Sequence, residues 1–242
     1  MKNVKVGCCG FQMARHEYYR LFPTVEIQQT FYHPPELKTG ERWRKESPEG
    51  FEFAVKAWQL ITHEPTSPTY RRLRFAVPGE KRGRYGHFRQ TAEVREAWKR
   101  TEDFCKTLGA HLVLFQCPPS FKSTSENIEN MRSFFSSIRR QYFTFAWEPR
   151  GAWNIDIVNE ICESLDLVHV IDPFKEENRS GKTWYFRLHG LGGYRTCYSE
   201  VDLLSLTAKI SDGILSYVFF NNSDMVKNGL KFQEMIEKQP DE

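Results

Sequence analysis

The chain has 242 residues, 40 % of them hydrophobic and 14 % aromatic, enough for a substantial core and unlike a disordered or fibrous composition. No run of about eighteen apolar residues occurs, so a membrane span is excluded on hydropathy, and the opening MKNVKVGCCG reads as a first strand, which gives a cytoplasmic expectation. The net charge of +3 is uneven: residues 70–95 hold eight Lys and Arg against Glu80 and Glu93, leaving +6 there and −3 elsewhere.

Short β-rich runs alternate with helical patterns. In chain order the predicted strands are VKVGCC, TVEIQQTFY, FEFAVKAW, HLVLFQC, YFTFAWEP, LVHVIDP, TWYFRLHG and ILSYVFFNN. Helices are predicted over Arg15–Leu21, Thr91–Leu108, Ser125–Arg139, Ile155–Leu165, Val201–Ile210 and Met225–Lys238, with a weaker pattern at Glu36–Glu46. Only FKEENRSGK, between the sixth and seventh strands, is too short and polar for a crossover helix. Eight such units in a chain of this length predict an α/β fold of the (β/α)8 TIM-barrel type, irregular at the sixth crossover. A doubly wound open sheet is the alternative. No linker divides the chain, so residues 1–242 are expected to form a single domain with a basic loop insertion at about 64–90. The six cysteines show no C-x-x-C spacing, and reduced buried thiols are expected.

A barrel requires each strand to send one parity to the helices and the other inward. In TWYFRLHG, Phe186 and Leu188 share one face while Arg187 and His189 share the other. Glu26, Gln28, Thr30 and Tyr32 fall together, Lys56 opposes Val55, Gln116 opposes Phe115, and Glu148 opposes Trp147. Polar groups on the inward parity cluster near strand C-termini, where barrel enzymes place their chemistry. Arg187 and His189 are thus expected to line the barrel's mouth.

The ordered set VEIQQTFYHPP, FEFAVKAWQLITH, FQCPPSF, WEPRGAW, YFRLHG and YVFFNN resembles the DUF72 family of YecE-like proteins, over nearly the whole chain from Gly7 to about Asn228. The resemblance implies a TIM barrel of unsettled biochemical function. Its characteristic positions fall on Glu26, Thr30, Phe31, Tyr32, Lys56, Thr62, His63, Gln116, Pro118, Glu148, Arg150, Trp153, Arg187, His189, Gly190, Asn221 and Asn222. The chain departs from the family pattern at Cys8 and Cys9 in the first turn, at Gln28, at Gly151, and in its longer, more basic loop.

The inward set carries Glu26, Glu148 and Asp172 against Lys56, Arg187 and Arg150, with His63 and His189 as groups titrating near neutrality. Such a cluster favours an active site over a purely structural ion network. The expected catalytic residues are Glu26, Lys56, His63, Glu148, Arg187 and His189. Tyr32, Gln116, Arg150, Asp172, Gly190, Tyr194 and Asn221 are expected to bind substrate. A Gly-rich turn, HGLGG, can cradle an anion beside Arg187, and Arg71, Arg72 and Arg84, interleaved with aromatics, suit a phosphate backbone with stacked bases. Cofactors are left undetermined, since Lys56 and Arg187 oppose a dication at the same mouth and a divalent metal is not favoured. The leading reading is an acid–base or hydrolytic enzyme on a phosphate-bearing substrate, nucleic acid included. The alternatives are a non-catalytic anion- or nucleic-acid-binding module and, less favoured, a sugar isomerase or lyase. No membrane or protein partner is implied.

Overall fold

Residues 2–177 and 181–238 are described by the computed structural model. Eight parallel strands close in the order β1 to β8: Val4–Cys9, Thr24–Ile27, Glu52–Lys56, Leu112–Gln116, Thr144–Glu148, Leu167–Ile171, Thr183–Leu188 and Leu215–Phe220. The fold is therefore the expected TIM-type barrel. Between strands lie α1 (Arg15–Leu21), α2 (Gln29–Tyr32), α3 (Leu37–Glu46), α4 (Gln59–Thr62), α5 (Ala92–Leu108), α6 (Ser125–Ser137), α7 (Ile155–Ser164), α8 (Glu200–Ala208) and α9 (Met225–Glu237). The weak pattern at 36–46 is a helix. The described part of the sixth crossover holds only a turn, and the rest of FKEENRSGK lies outside the described residues.

TVEIQQTFY does not continue as one strand. It stops at Ile27, and α2 puts Thr30 and Tyr32 on a helical turn instead of the β2 face. The Thr30 hydroxyl donates to the carbonyls of Ile27 and Lys56 at 3.0 and 2.7 Å, closing the ends of β2 and β3. This local bonding overrides the β preference of Thr, Phe and Tyr.

Two compact units are distinguishable, one built from Met1–Glu26, Ser47–Glu52 and Val168–Glu242, the other from Ile27–Glu46 and Phe53–Leu167. In the first, β7 pairs with β8 and β8 with β1, and Tyr185, Tyr217 and Phe219 fill one face at ring separations of 5.1 to 6.2 Å. Phe232 of α9 covers Phe220. In the second, β3, β4 and β5 are covered by α5 and α6 through a cluster of Phe88, Trp98, Phe115, Phe134, Phe135 and Phe145. Rings in edge-to-face or tilted contact add to the hydrophobic term of their burial.

Five thiols, at Cys8, Cys9, Cys105, Cys117 and Cys162, are buried as expected, whereas Cys197 is exposed. Among the described residues no helix is long and apolar enough to cross a membrane.

Candidate functional site

The second unit gathers a polar group at the ends of three neighbouring strands. Lys56, Gln116 and Glu148 are the last residues of β3, β4 and β5, and strand register sets Gln116 opposite Glu148. The Glu148 carboxylate is 7 % exposed. It accepts from the Gln116 amide at 2.7 Å on one oxygen and from Arg150 Nε and Nη2 at 3.0 and 2.8 Å on the other. Arg150 itself is half-exposed, so this ion pair opens to solvent on one side.

Lys56 Nζ lies 3.9 Å over the Phe31 ring, and His63 meets the same ring edge to face at 4.9 Å. Thr62 Oγ1 sits 2.8 Å from His63 Nδ1. Burial first, then Lys56, His87 and Arg150, push His63 down to about 3. The expectation of a group titrating near neutrality is thereby corrected: desolvation and the surrounding positive charge disfavour a second ring proton. At neutral pH His63 is an uncharged imidazole with one donor and one acceptor.

The basic loop belongs to the same unit and is anchored. Tyr70 Oη donates to the His63 carbonyl at 2.7 Å. The N–H groups of Gly86, His87 and Phe88 donate to the carbonyls of Leu60, Thr62 and Ile61 at 2.9, 3.3 and 2.9 Å. Arg72 stacks over the Tyr32 ring at 3.6 Å. Arg84 is occupied by Glu93 at 2.6 Å, while Arg71 projects into solvent.

The first unit holds a different arrangement. Arg187, only 1 % exposed, makes a two-pronged pair with Glu26, Nε to Oε2 at 3.0 Å and Nη2 to Oε1 at 2.9 Å. Tyr185 Oη donates to the same carboxylate, and the Cys9 thiol lies 3.3 Å from it. Glu26 is fully buried. Arg187 therefore sits in the core instead of lining a mouth, and its fork is filled by Glu26 instead of waiting for an anion. The carboxylate satisfies a guanidinium that would otherwise be desolvated without a counter-charge.

Around this pair, His189 follows β7 and has its Nδ1 2.9 Å from the Asn221 amide nitrogen. An amide donating there leaves the neutral ring's proton on Nε2. Asp172 closes a turn, accepting from the Phe174 N–H at 3.2 Å and pairing with Lys175 at 3.5 Å. Gly190 is left-handed, and a Cβ there would stand 2.2 Å from the Gly193 carbonyl oxygen. Its N–H donates to Tyr198 Oη at 2.7 Å, and that of Gly193 to the Gly190 carbonyl. Of the amides of the expected anion cradle, that of Gly190 is thus spent on Tyr198 and that of Gly193 on the turn itself. Tyr194 is exposed.

Neither Tyr185 nor Cys9, the latter marked in the sequence only as a departure from the family pattern, was expected among the site residues. Tyr185 shares strand parity with Arg187, so alternation contained that signal; nothing local marks Cys9 for this place. Among the described residues no three His, Cys, Asp or Glu side chains come close enough to hold a metal ion, and Glu148 is surrounded by an amide and a guanidinium.

A curated relative, UPF0759 protein YunF of Bacillus subtilis, is 32 % identical over 116 residues, 48 % of this chain and 35 % of that protein. The chain thus covers about a third of that relative's length. The crystal structure of a DUF72 family protein from Enterococcus faecalis superposes with a TM-score of 0.72 at 18 % identity, covering 98 % of this chain and 97 % of that one. A DUF72 family protein from Thermotoga maritima gives 0.63 at 19 % identity, over 97 % and 99 % of the two chains. These two likenesses concern the fold. The sequence model of DUF72, described as a protein of unknown function, matches residues 12–242, and with β3, β4 and β5 ending in the motif residues Lys56, Gln116 and Glu148, the chain belongs to the DUF72 family.

Proposed function

We propose that the chain is an enzyme working by acid–base or hydrolytic chemistry on a phosphate-bearing substrate, nucleic acid included. The observation that carries this reading is the Glu148 carboxylate at the end of β5, held by Gln116 and Arg150 in the same unit as Lys56 and an uncharged His63. In this scheme Glu148 takes the proton of an attacking water or substrate hydroxyl. Its three donors fix which lone pair faces the reactant. Lys56 and the half-exposed Arg150 stabilise negative charge growing on phosphoryl oxygens, and His63 offers a neutral hydrogen bond without adding charge. Glu26 and Arg187, paired with each other in the core, tie β2 to β7.

The test is a panel of phosphoesters and oligonucleotides assayed with the wild type and Glu148→Gln. Turnover should fall by about 10²-fold or more, with substrate affinity changed only a few-fold. Undiminished turnover in the variant would remove Glu148 from the chemistry. Binding with a steep salt dependence and no turnover of any member would leave a recognition module in place of an enzyme.

A further inference from the structure

Resting on the reading of a phosphate-bearing substrate, we propose that the outer part of the basic loop, centred on Phe75 and the arginines beside it, binds single-stranded nucleic acid. Positive charge and aromatic surface are interleaved here on a fixed scaffold. Three of the eight cations between residues 70 and 95 are occupied: Lys81 and Arg84 by Glu93, and Arg89 by Glu64. Arg71, Arg72, Arg74 and Arg82 are exposed and, among the described residues, meet no carboxylate.

Arg71 and Arg72 stand on a single 3-10 turn, Pro68–Arg72, capped by Ser67, whose side chain accepts from the Thr69 N–H. Arg74 and Phe75 follow after Leu73. Phe75 is 41 % exposed, although the loop's other phenylalanine, Phe88, is completely buried. It rests edge to face on Trp58 at 6.2 Å. Arg100 lies over the Trp58 ring at 5.5 Å, and His33 meets it at 5.5 Å. Arg72 over Tyr32 repeats the cation-on-ring arrangement. Burial, then Arg100 and Arg74, hold His33 below its ordinary value. Glu36, 3.8 Å from Arg100, is the carboxylate found beside it.

An exposed ring on a rigid base, flanked by unpaired guanidinium groups, matches an unpaired base with its neighbouring phosphates. A duplex keeps its base faces stacked and offers phosphates and groove edges, neither of which stacks on a ring. An acidic protein segment would use the arginines but leave Phe75 without a flat partner. The Tyr70 hydroxyl ties this turn to the His63 carbonyl, so the loop enters the unit beside the residues assigned to chemistry.

The experiment measures fluorescence anisotropy of a labelled oligothymidylate of about 12 nucleotides, long enough to span one such surface. A hairpin duplex of equal charge is compared, and polyglutamate serves as competitor. The full chain should prefer the single strand. Phe75→Ala should weaken it roughly tenfold with little change in salt slope, and Phe75→Tyr should restore binding. Arg71→Gln with Arg74→Gln should lower the slope of log affinity against log salt by about 1.4. Equal binding of the duplex, no effect of Phe75→Ala, or displacement by polyglutamate at equal charge would each overturn the proposal. Glu148→Gln should bind the oligothymidylate as the wild type does. Glu148-dependent turnover of small phosphoesters without oligothymidylate binding would therefore overturn this inference alone.

Discussion

A histidine held at about 3 instead of 6.5 ties stability to pH. As pH falls through 6.5 the unfolded chain takes up a proton at His63, whereas the folded chain stays neutral there until about 3. The unfolded state binds more protons throughout that window, so stability is lost on acidification, by about 2 kcal/mol between pH 6.5 and 5. His33 and His87 are lowered in the same direction, by burial before any neighbouring charge. Denaturant midpoints at pH 7 and pH 5 should show His63→Gln losing less stability than the wild type. Equal losses in the two would place the acid limb on other residues. The identity of this site's polar residues was legible from alternation alone, since Lys56, Gln116 and Glu148 each oppose an apolar neighbour on their strands. Their state was not. His63 owes its neutrality to burial first and then to Lys56, His87 and Arg150, which the fold brings from separate segments, and Arg187 is paired in the core with Glu26 from 161 positions away.

At the scale of elements, helix and strand periods located almost every segment, and the boundary that failed has an identifiable cause. QTFY reads as strand by side-chain preference, yet a single hydroxyl at Thr30, bonding to two carbonyls, bends it into α2. The basic loop was legible as an insertion but not as an anchored one. Its return path is a left-handed run, with φ of 78° at Gly86, 52° at His87 and 54° at Phe88, and the last two are side-chain-bearing residues in a conformation that is ordinarily avoided. The run is over-determined by its three backbone bonds to α4 and by Phe88 within the aromatic cluster. A Cβ at Gly86 would stand 2.4 Å from the His63 carbonyl oxygen. Gly86→Ala should therefore detach the return path, speeding trypsin cleavage within 71–84 several-fold and destabilising the fold by about 1–3 kcal/mol. An unchanged digestion pattern would show that the loop is held by something other than this stitching.

For the molecule as a whole, the order of eight strands was legible because all but the sixth crossover carry a helical pattern, whereas closure rests on the pairing of β8 with β1. The division into two compact units was not legible. Its boundary at Glu26 and Ile27 cuts through β2, with no glycine- or proline-rich linker to mark it. The charge distribution was legible as a total of +6 in one segment, but which cations Glu64 and Glu93 neutralise depends on the fold. The sulfur atoms follow the same division between inside and outside. Burial pushes Cys8 and Cys162 up to about 12 and Cys9, Cys105 and Cys117 upward as well, so none of these five is a thiolate at neutral pH. Cys197 alone faces solvent. Native protein treated with a maleimide dye should therefore gain the mass of one adduct, and Cys197→Ser should gain none; a second adduct would mean that a buried strand or helix opens. The chain thus arrives with its own single attachment point for a fluorophore or spin label, and no cysteine needs to be engineered out.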